Sequence, residues 1–231
     1  GFKTRRLVLI GALGGISIFL GVSGLGLIRL PIFNLTIMHI PVIIGALLEG
    51  PIVGVSVGLI FGLFSMYQNF TAPGPTSFIF WNPIIALLPR ILIAITSYYS
   101  FKLLKNKLKN ISFSVGVSAV LGTLTNTVGV LGLTYLLYLD KYAAALDISR
   151  EAVGGTLLTV GLTNGVPEAI VSALITIPIV VTMLKIKKKY VFGLLSFKLS
   201  KLASSYRLAP KDNISDEELN TLTYEDFLVE E

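Results

Sequence analysis

Apolar runs of about twenty residues recur along this chain with little between them, and that recurrence limits the fold more than any motif does. A helix rises 1.5 Å per residue and the hydrocarbon core of a bilayer is ~30 Å thick, so ~20 apolar residues suffice to cross it. Residues 7–28, 52–69, 83–104, 113–138 and 152–186 form such runs. A shorter one, residues 37–48, is cut off by Glu49-Gly50-Pro51 and covers only about 18 Å. It is read as a tilted or half-buried helix, or as one preceded by a loop that dips into the membrane. Composition agrees: 53% of the 231 residues are hydrophobic and 14% charged, against about 25% charged in a soluble domain.

The expected fold is therefore an all-α integral membrane bundle of six transmembrane helices. The first run follows Lys3, Arg5 and Arg6 and so looks like a secretory signal, but it lacks a small-residue cleavage site and is read as a retained helix. Lys and Arg accumulate at the cytoplasmic ends of spans, which gives a test of the count. Alternating from a cytoplasmic start, the inner segments hold Lys3, Arg5, Arg6, then Lys102, Lys105, Lys107, Lys109, then Lys185, Lys187, Lys188, Lys189; the outer loops hold Arg29, Lys141 and Arg150. Eleven against three places both termini in the cytoplasm. Three segments follow: a transmembrane domain over residues 1–190, a basic amphipathic stretch over 191–209, and an acidic tail over 210–231. The tail holds one basic and eight acidic residues, a net −7, against +13 for the rest. Disorder is the default reading of such a charge-rich end. The basic stretch reads as a helix on the anionic inner leaflet or as a docking surface for a partner.

The missing chemistry excludes several classes. The chain has no Cys and one His, which removes disulfide scaffolds, thiol nucleophiles and Cys/His zinc sites. It has no GxxxxGK[ST] loop, no HExxH and no GxSxG, so ATP hydrolysis, zinc proteolysis and serine hydrolysis by those routes are absent. Neither a cofactor nor a nucleic-acid partner is expected, and the chain does not read as an enzyme.

The polar residues inside the apolar spans are few, and such residues are functional candidates because leaving them unpaired in lipid costs several kcal/mol. Arg90 lies in the outer half of the fourth span, either facing an anionic ligand or ion-paired with Glu168. Asn126 sits near the middle of the fifth, and the stretch Asn164-Gly165-Val166-Pro167-Glu168 predicts a kink that frees backbone groups in the sixth. Asn126 and Asn164 read as convergent amides for a polar ligand, or as bonds between helices. Around the outer rim stand His39, Tyr67, Gln68, Trp81 and Asn82, which suit a small-molecule pocket. A lone His is also commonly structural, and Trp at an interface is commonly a membrane anchor. The first span carries Gly11, Ala12 and Gly15, a small-residue face for close approach of another helix, inside the protein or outside it.

These residues resemble the substrate-binding S-components of energy-coupling factor (ECF) vitamin transporters, and among them the pantothenate-specific members. The likeness covers about residues 3–190 and rests on Met38-His39-Ile40-Pro41-Val42-Ile43-Ile44-Gly45-Ala46 with Glu49-Gly50-Pro51, Phe80-Trp81-Asn82-Pro83 with Leu88-Pro89-Arg90, Thr125-Asn126-Thr127, and Asn164 to Glu168. The resemblance implies a vitamin-binding subunit in a bacterial plasma membrane. Such a subunit captures its ligand at the outer face and delivers it through a coupling protein, EcfT, and two ATPase subunits, EcfA and EcfA'. It implies docking through the small-residue face of the first helix, here Gly11, Ala12 and Gly15, with Gly-x-x-x-Gly where the family has Ala-x-x-x-Ala. It also implies toppling in the membrane, with residues 24–36 and 70–82 as gates. Arg90 suits the carboxylate of pantothenate while Asn126, Asn164 and Asn82 suit its hydroxyls and amide. Folate, riboflavin or pyridoxine remain open as ligands, as does a self-sufficient secondary carrier.

Overall fold

The computed structural model describes residues 2–29, 34–108 and 110–205; the acidic tail, residues 210–231, lies outside them. The chain divides into two units, Gly1–Leu184 and Lys185–Glu231. Helix α1 (Phe2–Val22) leads into a short antiparallel hairpin, β1 (Leu27–Arg29) and β2 (Asn34–Thr36), and then α2 (Ile40–Glu49), α3 (Pro51–Thr71), a single 3-10 turn (Ser77–Ile79), α4 (Pro83–Lys107) and α5 (Ile111–Leu146). Next come α6 (Ala152–Val160), a π turn (Gly161–Gly165) and α7 (Val166–Ser205). The second unit contributes the C-terminal part of α7, where Ile186, Tyr190, Gly193, Leu194 and Phe197 share one side.

Among the described residues, five helical stretches, Thr4–Val22, Pro51–Thr71, Pro83–Lys107, Ile111–Leu146 and Ala152–Phe197, are long and apolar enough to cross a membrane. A shorter apolar helix is α2, whose ten residues cover about 15 Å, half a hydrocarbon core. Ile40 to Leu47 are all buried, because a helix apolar on every side has no wet face to offer. Around it pack Val53, Val57 and Phe61 of α3, Ile93 and Ala94 of α4, Val115 and Ala119 of α5, and Val180 of α7. A second cluster, Phe78, Ile79, Ile85, Tyr142, Ala143, Val153 and Leu157, joins the 3-10 turn to the start of α4, the end of α5 and α6. The outward surface is apolar: Leu174 is 66%, Val128 68% and Leu136 75% exposed. Surfaces of this kind are stable against lipid and aggregate in water.

The first span is shorter than the 22 residues the apolar run predicts. Helix α1 stops at Val22 because Gly24 takes a positive φ of 73°, which ends a right-handed helix, and residues 27–29 turn into β1. The all-α expectation thus acquires one hairpin, with Leu27 opposite Thr36 and Arg29 opposite Asn34. The α2–α3 corner follows the sequence closely. Gly50 has φ 89° and Pro51 opens α3, the glycine making the left-handed turn and the proline occupying a first-turn position whose N–H is not needed. Arg5 bridges this corner, its Nη2 3.0 Å from Glu49 Oε1. Residue 138, the predicted end of the fifth span, marks a break in α5, with Tyr138 at φ −134° and ψ 20°.

Helix α3 meets α4 through Gly54, Gly58 and Gly62, one turn apart. A Cβ at Gly58 would lie 2.6 Å from the Arg90 carbonyl oxygen, and one at Gly62 2.6 Å from that of Ala86. Neither backbone oxygen can yield, so Gly58→Val is expected to destabilise the bundle by at least ~1–3 kcal/mol, read as a lowered Tm in detergent. Gly11→Val, at a position with nothing within 4 Å, serves as the comparison and is expected to leave Tm near that of the parent.

Candidate functional site

Helix α2 sets the depth of the site. Its end, Glu49, is tied to Arg5 near the start of α1, so its beginning, His39, stands about 15 Å along the bundle. Ser17 Oγ, on α1, donates to the Met38 carbonyl at 2.8 Å and fixes that level. His39 is fully buried, and its Nε2 lies 2.9 Å from Thr123 Oγ1 on α5. The Thr123 hydroxyl donates to the Ala119 carbonyl at 2.9 Å, while His39 Nδ1 is buried with no partner.

Arg90 owes its position to its neighbour in sequence. Pro89 stands inside α4 and has no N–H for the carbonyl four residues back, which is that of Ile85. Arg90 Nη1 donates to that same carbonyl at 3.0 Å. The guanidinium also lies over two rings, its Cζ 5.3 Å from the Phe61 centroid and 5.1 Å from that of Phe80, a cation–π contact with each. The residue is 4% exposed and its Nε is buried without a partner. An ionised donor in that state has strong unmet demand for an anion.

Glu168 does not meet this demand by an ion pair. Its Oε1 accepts the Thr36 N–H at 2.7 Å, so the carboxylate pins β2 of the hairpin to the start of α7. It lies within Coulombic reach of Arg90, as does His39. The predicted kink at residues 164–168 takes the form of the π turn, which widens the helix ahead of Pro167 and carries Asn164. Gly165 packs on Thr127 so tightly that a Cβ would sit 2.9 Å from its Cγ2, bringing the π turn against α5. Asn126, beside Thr127 and three residues from Thr123, has a buried Oδ1 with no partner. His39, at the start of α2, thus meets α5 through Thr123, the π turn meets α5 through Thr127, and Glu168 meets the hairpin through Thr36.

Glu168→Ala is expected to release the hairpin. Losing a buried acceptor costs ~1–3 kcal/mol, so amide hydrogen exchange at Thr36 should rise roughly 5- to 150-fold, while Glu168→Gln, which keeps an acceptor oxygen, should stay near the parent rate. Unchanged exchange in Glu168→Ala would mean that strand pairing alone holds β2.

The rim residues engage neighbouring elements. Asn82 caps α4, its Oδ1 accepting the Ile84 N–H at 2.9 Å, and its Nδ2 donates to Tyr138 Oη at 3.2 Å. Trp81 stacks on Phe70 with centroids 5.5 Å apart, and its Nε1 donates to the Asn69 carbonyl at 3.0 Å. Gln68 Nε2 donates to the Gly21 carbonyl at 3.1 Å, joining α3 to the end of α1. Tyr67 is exposed, its ring 6.2 Å from Phe64. Asn69 Oδ1, which accepts the Ser77 hydroxyl at 2.7 Å, completes this ordered connection between α3 and α4. Gly11, Ala12 and Gly15 face outward from α1, with nothing within 4 Å of a Cβ at either glycine, whereas Gly14 and Gly21 pack on Ile60 and Phe64.

Several contributors were missed in the sequence. Thr123 orients His39, and Phe61 lies over Arg90 beside Phe80 of the Phe80-Trp81-Asn82-Pro83 segment; one Thr or Phe among many apolar residues, as at positions 123 and 61, carries no signal alone. Ser172 and Thr176, fully buried with unpartnered hydroxyls, had a readable one. Asn164, Glu168, Ser172 and Thr176 recur every four residues and so share a helix face.

Two curated relatives are similar to this chain. The Pantothenic acid transporter PanT of Lactococcus lactis subsp. cremoris is 32% identical over 164 residues, 65% of this chain and 78% of the relative. The Pantothenate transporter PanT of Leuconostoc mesenteroides subsp. mesenteroides is 33% identical over 140 residues, 58% of this chain and 68% of the relative. Residues 5–180 match the model of the family described as ECF transporter, substrate-specific component. With its apolar helices and these relatives, the chain belongs to the ECF transporter substrate-specific component family, a family of multi-pass membrane transporter subunits rather than enzymes.

Proposed function

We propose that this chain is the pantothenate-binding subunit of an ECF-type importer in a bacterial plasma membrane. The observation that carries the reading is Arg90, 4% exposed, clamped by the Ile85 carbonyl and two phenylalanine rings, with an unpartnered Nε. Pantothenate offers a carboxylate for that guanidinium, and its amide and two hydroxyls suit Asn126, Asn164 and His39. Tyr67, Gln68, Trp81 and Asn82 form the outer rim, and Glu168 holds the hairpin beside it. The names of the two relatives support the choice of vitamin.

In this reading both termini are cytoplasmic, ligand enters from outside, and α1 docks on EcfT through Gly11, Ala12 and Gly15, with EcfA and EcfA' hydrolysing ATP. Residues 24–36 and 70–82 are the gates. The domain limits 1–190 and 191–209 go with it, the second segment lying on the anionic inner leaflet. Uptake of labelled pantothenate into liposomes tests the scheme. The chain alone should give none above background under any gradient, and the chain with EcfT and both ATPases should give ATP-dependent accumulation. Gradient-driven uptake by the chain alone would replace this scheme with a secondary carrier.

A further inference from the structure

We propose that His39, held as its Nε2–H tautomer by Thr123, uses Nδ1 as the hydrogen-bond acceptor for a hydroxyl of the transported ligand. The inference rests on the pantothenate reading and adds a specificity-determining residue to it.

The tautomer follows from counting hydrogens. A threonine hydroxyl has one proton, and that of Thr123 is directed at the Ala119 carbonyl, 2.9 Å away. The contact of 2.9 Å between Thr123 Oγ1 and His39 Nε2 must then be donated by the imidazole. A neutral imidazole with its proton on Nε2 has a bare lone pair on Nδ1. That lone pair is buried with no partner, in a residue with no exposed surface. The ring cannot rotate to satisfy it without breaking the Thr123 bond.

The surroundings favour a hydroxyl or amide N–H as the missing donor. The imidazole has no exposed surface, and a charge buried there without a partner is costly, so His39 serves as a neutral acceptor. Asn126 presents a second unpartnered acceptor, Oδ1, one helical turn beyond Thr123. Arg90 Nε supplies the complementary donor. One anion-seeking donor with two acceptors matches a hydroxylated carboxylate and mismatches a molecule with no hydroxyl, because a bare buried acceptor left unmet penalises the analogue.

The single histidine makes the test direct, provided any affinity tag is removed. In protein labelled with 15N-histidine, the expected spectrum has a protonated Nε2 and a non-protonated Nδ1, and saturation with pantothenate is expected to shift the Nδ1 resonance upfield, as accepting a hydrogen bond does, with Nε2 still protonated. In calorimetry, His39→Gln keeps a donor near Thr123 and lacks the Nδ1 acceptor. It should weaken pantothenate by about 10- to 100-fold and an analogue lacking both hydroxyls by less than about threefold. His39→Asn, with an oxygen near the Nδ1 position, should recover part of the preference for the hydroxylated ligand. An unmoved Nδ1 resonance in saturated protein, or equal losses for both ligands, overturns the inference while leaving the pantothenate reading in place. Parent protein that binds no pantothenate overturns the ligand reading itself, and this assignment with it.

Discussion

Arg90→Ala is expected to weaken pantothenate binding by roughly 30- to 5,000-fold, the equivalent of ~2–5 kcal/mol for removing one partner from a buried, hydrogen-bonded charge pair. The neutral alcohol analogue, in which –CH2OH replaces the carboxylate, should lose much less. The difference between the two ligands is the informative quantity, since the guanidinium also satisfies the Ile85 carbonyl that Pro89 leaves open and lies over the Phe61 and Phe80 rings. Truncation therefore damages local structure for both ligands alike. Arg90→Lys separates the roles further: an ammonium keeps the charge but lacks the planar fork, so partial recovery for pantothenate and none for the alcohol is expected. Equal losses for acid and alcohol, measured by calorimetry, would make Arg90 structural.

The second large effect lies at the opposite end of the mechanism. Gly11→Leu with Gly15→Leu is expected to abolish ATP-dependent uptake while the isolated subunit binds pantothenate with unchanged affinity. Neither position has an atom within 4 Å of a new Cβ, so the fold accommodates both side chains. A partner helix brought close by the small-residue face does not, because such contacts depend on backbone approach. At Gly14, one residue away, a Cβ would lie 2.7 Å from Ile60 Cδ1, and its substitution should reduce stability instead. Ligand binding lost in the double variant would place the face within the bundle's own packing.

How far the sequence could be read depends on the length of each pattern. Twenty apolar residues are a strong signal, and five long helices stand where such runs occur. The Gly50-Pro51 corner was legible because each residue has a local reason to be there. The hairpin was not: strands of three residues are too short for alternation to register, so β1 merged with the apolar run of α1. The α3–α4 contact through Gly54, Gly58 and Gly62 had the same four-residue spacing as Gly11 and Gly15, and only the structure distinguishes the buried stripe from the open one.

Among the candidate residues, polarity inside an apolar span drew attention to Arg90, Asn126, Asn164 and Glu168, since lipid makes such residues costly. What polarity alone could not tell was which groups already had partners. Gln68, Trp81 and Asn82 bond to the end of α1, a carbonyl near the end of α3 and Tyr138, whereas His39 Nδ1, Arg90 Nε and Asn126 Oδ1 have none. Glu168 has the Thr36 N–H in place of the Arg90 ion pair, a bond between residues 132 positions apart that no local pattern announces.

The most direct test of the central claim is calorimetric titration of the detergent-purified chain with pantothenate, with riboflavin, folate and pyridoxine as controls. Saturable one-to-one binding of pantothenate alone is the predicted result. Binding of a different vitamin in its place, or no heat from any of the four, would contradict it.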